Sequence, residues 1–113
     1  MELGAVLSPQ ELLAVQRFQE TVRTICGPTG WEIRLFGSRA RGEGNEDSDL
    51  DLLVLLDRYD EEIKIQIWDA ADAVFSATDI LLSPQVLSRR HFDDLKRRER
   101  LIAQEIERDG ILI

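Results

Sequence analysis

The chain has 113 residues, 43% of them hydrophobic and 32% charged, a composition that suits one soluble domain built around a single core. Its net charge of −8 argues against a free-standing DNA or RNA binder, which normally carries the opposite sign, but leaves room for a site that binds one nucleotide. The longest apolar run, Leu52 to Leu56, is far too short to span a bilayer, the N-terminal residues lack the pattern of a secretory signal, and the single cysteine, Cys26, allows no intrachain disulfide; together these suit a reducing, cytoplasmic setting.

No repeat or linker divides the sequence, so residues 1–113 are expected to form one domain. Ser8-Pro9-Gln10-Glu11 reads as a helix start, with Ser8 as N-cap, Pro9 at the first helical position and Glu11 closing a capping box. Leu12, Val15, Phe18, Val22 and Ile25 follow at helical spacing until Gly27-Pro28 stops the helix. Trp31 to Phe36 alternates as a strand does. After the polar stretch Gly42 to Ser48, Leu50 to Leu56 is apolar enough for a central strand.

Helical spacing returns from Tyr59 to Phe75 through Ile63, Ile67, Ala70, Ala71 and Val74. Thr78 to Leu82 is expected as a third short strand ended by Ser83-Pro84. Ser88 to Arg108 is expected as one strongly charged helix with Leu95, Ile102 and Ile106 on its apolar side. Asp109-Gly110 stops it, and Ile111 to Ile113 fits a last edge strand. The resulting fold class is α+β: a small mixed β-sheet with helices packed on one side.

Three features fall in the right order to build one site. Gly37-Ser38 ends the first strand, where glycine permits close backbone approach to an anion and the serine hydroxyl and nearby N–H groups can hold phosphate. Arg39 and Arg41 follow, a local basic spot suited to phosphate. Asp49 and Asp51 open the second strand and share a face, and two such carboxylates repel each other unless a cation such as Mg²⁺ lies between them. Asp47 with Asp49 is a competing pair, but Asp49 and Asp51 share the parity of Leu53 and Leu55. Asp79, inside the expected strand Thr78–Leu82, can complete a three-carboxylate cluster able to hold two ions for an in-line displacement at phosphorus.

Gly37-Ser38, ten intervening residues and then Asp49-Leu50-Asp51 resemble the signature of the DNA polymerase β-like nucleotidyltransferase superfamily. The wider stretches Leu35 to Gly42 and Ser48 to Val54 resemble the minimal nucleotidyltransferases, the MNT antitoxins of HEPN/MNT gene pairs. That resemblance implies a polymerase β palm-like fold, with Asp49, Asp51 and Asp79 binding Mg²⁺ and Asp79 also favouring deprotonation of the attacking hydroxyl. It implies that Gly37 and Ser38 hold the triphosphate of ATP, and that AMP passes to a tyrosine of a partner HEPN toxin. Two rival readings stand beside it: an antitoxin subunit that acts by contact, and a transferase for a small-molecule hydroxyl. The second normally needs an additional substrate-binding domain.

Blander readings apply to other residues. His91 is the only histidine and fits an exposed helix position. The basic residues Arg89, Arg90, Lys96, Arg97, Arg98 and Arg100 alternate with acids, as on a solvated helix face, so no direct nucleic-acid contact and no membrane contact are expected. Homo- or hetero-oligomers are both compatible with the sequence.

Overall fold

The computed structural model describes residues 2–44 and 48–113. In chain order the elements are α1 (Leu3–Val6), α2 (Pro9–Cys26), β1 (Trp31–Phe36), β2 (Leu50–Leu56), α3 (Glu61–Thr78), β3 (Leu82–Ser88), α4 (Arg89–Arg97), α5 (Leu101–Asp109) and β4 (Ile111–Leu112). The strands form one mixed sheet in the order β3-β2-β1-β4. β1 runs antiparallel to β2 and to β4, whereas β2 and β3 are parallel, the connection between them being α3.

The start of α2 is the capping box read from the sequence: the Ser8 hydroxyl accepts from the Glu11 N–H, and the Glu11 carboxylate accepts from the Ser8 N–H. Ala14, Val15, Phe18 and Val22 then point into the core. α3 starts at Asp60, whose side chain accepts from the Glu62 N–H, and buries Ile67, Ala70, Ala71 and Val74. These two helices cover one face of the sheet, where Ile33, Leu35, Leu50, Leu52, Val54, Leu56, Leu82 and Val86 meet them in the larger core.

A second, smaller core lies on the opposite face. Phe36, Leu53 and Leu55 pack there against Phe92 of α4 and against Ala103 and Ile106 of α5. The expectation of helices on one side therefore holds for α2 and α3 and is corrected for α4 and α5. Alternate residues of a strand point to opposite faces, and β2 supplies apolar side chains to both.

Two further elements differ from the sequence reading. α3 runs on to Thr78, and Asp79 caps it in the left-handed conformation with φ 61°, a conformation that a short polar side chain tolerates better than most. The third strand consequently lies at Leu82–Ser88 and not at Thr78–Leu82, with Pro84 inside it. A proline is admissible because β3 is an edge strand. The single terminal helix expected from Ser88 to Arg108 is two helices, α4 and α5, separated by a turn in which Glu99 has φ 54°. β4, only two residues long, forms the other edge.

Candidate active site

β1 and β2 bring the two halves of the sequence signature together. In the antiparallel register Phe36 lies opposite Asp51, so Gly37, the next residue, meets the start of β2. Gly37 has φ +78°, and a Cβ placed on it would fall 2.5 Å from Asp51 Oδ2. The positive φ favours glycine, and a side chain there would have to displace the Asp51 carboxylate. The carboxylate of Asp51 thus rests directly against the turn that carries Ser38.

That turn is tight. The Ala40, Arg41 and Gly42 N–H groups donate to the carbonyls of Gly37, Ser38 and Arg39, and the Glu43 N–H also donates to Ser38 O. Gly44, at φ +75°, brings the chain back so closely that a Cβ there would lie 3.1 Å from Ser48 Oγ and 3.2 Å from Ser38 Oγ. Two hydroxyls therefore flank the same spot, one on each side of the signature. Ser48 was not singled out in the sequence, although its place just before Asp49 was the available signal.

Asp51 is part-buried and Asp49 is exposed. Burial pushes the Asp51 carboxyl up, and the negative charge of Asp49 adds to the shift. Two anions held together in this way lower their energy by sharing a cation. Asp51 points to the face of the sheet occupied by Leu53 and Leu55, and its register partner on β3 is Ser83.

Asp79 stands elsewhere. As the exposed cap of α3 it lines a small cavity with Ser48, Asp49, Phe75 and Leu81. Among the described residues no group of three or more His, Cys, Asp or Glu side chains is arranged to hold a metal ion. The structure brings Asp49 and Asp51 together as a pair and sets Asp79 beside Asp49 without completing a triad. Asp47, the competing partner of Asp49, lies outside the described residues.

The two arginines part company. Arg39 is 7% exposed, and its guanidinium donates to both carboxylate oxygens of Glu11, at 2.7 Å and 2.6 Å, and to Val6 O. Its adjacency to Ser38 suggested a phosphate ligand; the fold uses it to tie the turn to the first turn of α2. Burial alone would raise the Glu11 carboxyl, but the Arg39 guanidinium and the Ser8 N–H outweigh burial and hold it below its usual value. Glu11 was legible as a capping residue, and nothing in the sequence indicated its second role. Arg41 remains partly exposed, with its Nε 3.2 Å from Glu43 and its Nη1 3.9 Å from Asp109. Such surface pairs exchange readily for a stronger anion. His91 is exposed on α4, its N–H accepted by the N-capping Ser88 hydroxyl.

The nucleotidyltransferase domain family matches this chain over residues 15–110. No curated protein matches. A solved structure of a candidate minimal nucleotidyltransferase is 28% identical, with a TM-score of 0.53 over 94% of this chain and 97% of that one. Two mutant forms of the toxin–antitoxin complex MntA–HpeT are similar in fold. One has 20% identity, a TM-score of 0.51 and coverage of 83% of this chain and 68% of that chain; the other has 21%, 0.51, 87% and 70%.

Proposed function

We propose, from the premise that this chain belongs to the nucleotidyltransferase domain family, that it transfers AMP from ATP to a tyrosine hydroxyl of a partner HEPN toxin, releasing pyrophosphate, and so acts as an antitoxin. The observation that carries the reading is the contact between Gly37 and the Asp51 carboxylate. It brings the Gly37-Ser38 turn against the Asp49/Asp51 pair, and nucleotidyl transfer needs a phosphate-holding turn and a carboxylate pair at one place. The likeness to a candidate minimal nucleotidyltransferase over nearly the whole of both chains supports the same class. The toxin–antitoxin context is taken from the MntA–HpeT neighbours.

In this reading Ser38, Ser48 and the N–H groups opening the Gly37–Gly42 turn receive the triphosphate oxygens, and Arg41 swings from Glu43 to join them. Asp49 and Asp51 hold Mg²⁺, for which a hard pair of carboxylates supplemented by substrate phosphates is the usual donor set. The bound ion would supply Lewis-acid polarisation of the phosphoryl oxygens. In the same reading Asp79, which lines a cavity with Asp49, accepts the proton of an incoming hydroxyl. Arg39 and Glu11 hold the turn still, and preorganisation of this kind is a large part of what such a site contributes.

The rival reading makes the chain a subunit that neutralises its partner by contact alone. One experiment separates the two. Incubation of the chain with ATP, Mg²⁺ and the product of its neighbouring gene, followed by intact-mass spectrometry, is expected to add one or more AMP masses to the partner. A partner left unmodified yet still inhibited, by wild type and by Asp49→Ala alike, selects the contact reading.

A further inference from the structure

The exposed face of α3 carries large apolar side chains that the fold does not use. Ile65, Trp68 and Phe75 are 52%, 44% and 43% exposed, while the opposite side of the helix buries Ile67, Ala70, Ala71 and Val74. Their spacing, with Asp72 between Trp68 and Phe75, keeps them on one stripe about 15 Å long. The stripe does not end at the helix. Phe75 and the 43% exposed Leu81 line the same cavity as Asp49 and Asp79, so the apolar surface runs into the candidate active site. Trp68 is also held in place, since Lys64 Nζ sits 4.7 Å from its ring centroid.

Charge identifies the occupant. Between Asp60 and Asp79 the sequence places six carboxylates, those of Asp60, Glu61, Glu62, Asp69, Asp72 and Asp79, against the single cation Lys64. Two copies of this chain paired through α3 would set these acids against themselves, within a molecule already at −8, and like-charge juxtaposition is costly across an interface. A basic partner gains from the same arrangement. Exposed aromatics set within a charged rim are the usual anchors of a protein–protein contact.

We propose that the α3 stripe Ile65–Trp68–Phe75 is the docking surface for a heterologous protein whose contact patch is apolar at its centre and rich in Lys and Arg at its rim. Docking there presents the partner's acceptor to the cavity beside Asp49. The proposal rests on the reading of the chain as a protein-modifying transferase, and extends it by naming the surface and the chemistry of what binds there.

The test uses the full chain and the product of its neighbouring gene. Complex affinity is measured by calorimetry for the wild type, Trp68→Ser, the charge reversal Asp69→Lys/Asp72→Lys, and Leu101→Ser, which alters an exposed leucine of α5. AMP addition is followed in parallel by intact mass. Trp68→Ser and the charge reversal are expected to weaken the complex by about tenfold or more, the range of an interface anchor, and Leu101→Ser to leave it unchanged. Circular dichroism confirms that each variant is folded. A wild-type complex indifferent to Trp68 and to the reversed charges overturns the surface and leaves the transferase reading standing. A Trp68-dependent complex without AMP addition supports the surface and removes the transfer to that partner. Absence of any complex, or self-association of the chain alone that Trp68→Ser abolishes, overturns the proposal.

Discussion

Along β2, Leu50, Leu52, Val54 and Leu56 face α2 and α3 and are all buried, whereas Asp51, Leu53 and Leu55 face α4 and α5 and burial is complete only for the two leucines. One strand thus serves two layers of unequal thickness. Two 18-residue helices cover the first face, and two nine-residue helices cover the second. The thick layer supplies most of the apolar burial that holds the fold. The thin one buries Leu53 and Leu55 and leaves Asp51 partly open, so the carboxylate is fixed by a rigid central strand and still reachable by a ligand.

The sharpest way to test this division is to change residues of adjacent parity. Leu52→Ala, on the thick-layer face, should cost about 2–5 kcal/mol of stability by the lost transfer energy and the cavity left behind. Asp49→Ala/Asp51→Ala should leave the denaturant midpoint unchanged or higher, because it removes two neighbouring anions, while transfer activity falls by roughly 10³-fold or more, the scale of a lost metal-assisted step. A double variant that unfolds breaks the comparison.

The Glu11–Arg39 pair bridges the two regions, and its loss should be nearly as severe. Arg39→Ala leaves a buried carboxylate without its partner, a change that typically costs about 3–5 kcal/mol. The pH dependence follows from the direction of the Glu11 shift. A carboxyl held below its usual 4.5 when folded contributes stability that is present above that value and lost as pH falls through the folded pKa. Urea midpoints compared at pH 7 and pH 3 should therefore fall in the wild type, and this contribution to the fall should vanish in Glu11→Gln, which is already destabilised at neutral pH.

Smaller effects come from the turn itself. Gly37→Ala forces a side chain into a left-handed position and against Asp51, with a strain of about 1–3 kcal/mol. Its signature should be a larger loss of Mg²⁺-dependent ATP affinity than of thermal stability. Asp79→Asn should slow transfer by about 10²-fold with little change in ATP affinity, as general-base losses do. Arg41→Ala, whose partners lie at the surface, should change stability by less than about 0.5 kcal/mol and raise the KM for ATP.

Much of this was legible beforehand because it rests on local rules. The Ser8–Glu11 capping box, the alternation of Trp31–Phe36 and the apolar run Leu50–Leu56 each matched the observed element. The third strand was displaced because Asp79 ends α3 in a left-handed turn that leaves no glycine to mark it, and because Pro84 read as a terminator where an edge strand accommodates it. The break at Glu99 was hidden for the same reason: a non-glycine residue holds the positive φ. The pairing of Arg39 with Glu11 left no trace in the sequence because the two are 28 residues apart and long-range pairing has no period. Gly37-Ser38 and Asp49-Leu50-Asp51 were visible as motifs, but their contact depends on the β1–β2 register.

The two edges of the sheet have a consequence for behaviour at high concentration. An unpaired strand edge is a template on which other chains can add, and so a route from a native sheet to an aggregate. Here one edge, β4, offers only two residues, and the other, β3, carries Pro84, which has no N–H to give. Both edges are therefore poor templates for a growing ladder. Aggregation by strand addition at the sheet edges should therefore be slow even when the chain is expressed in large excess over a partner.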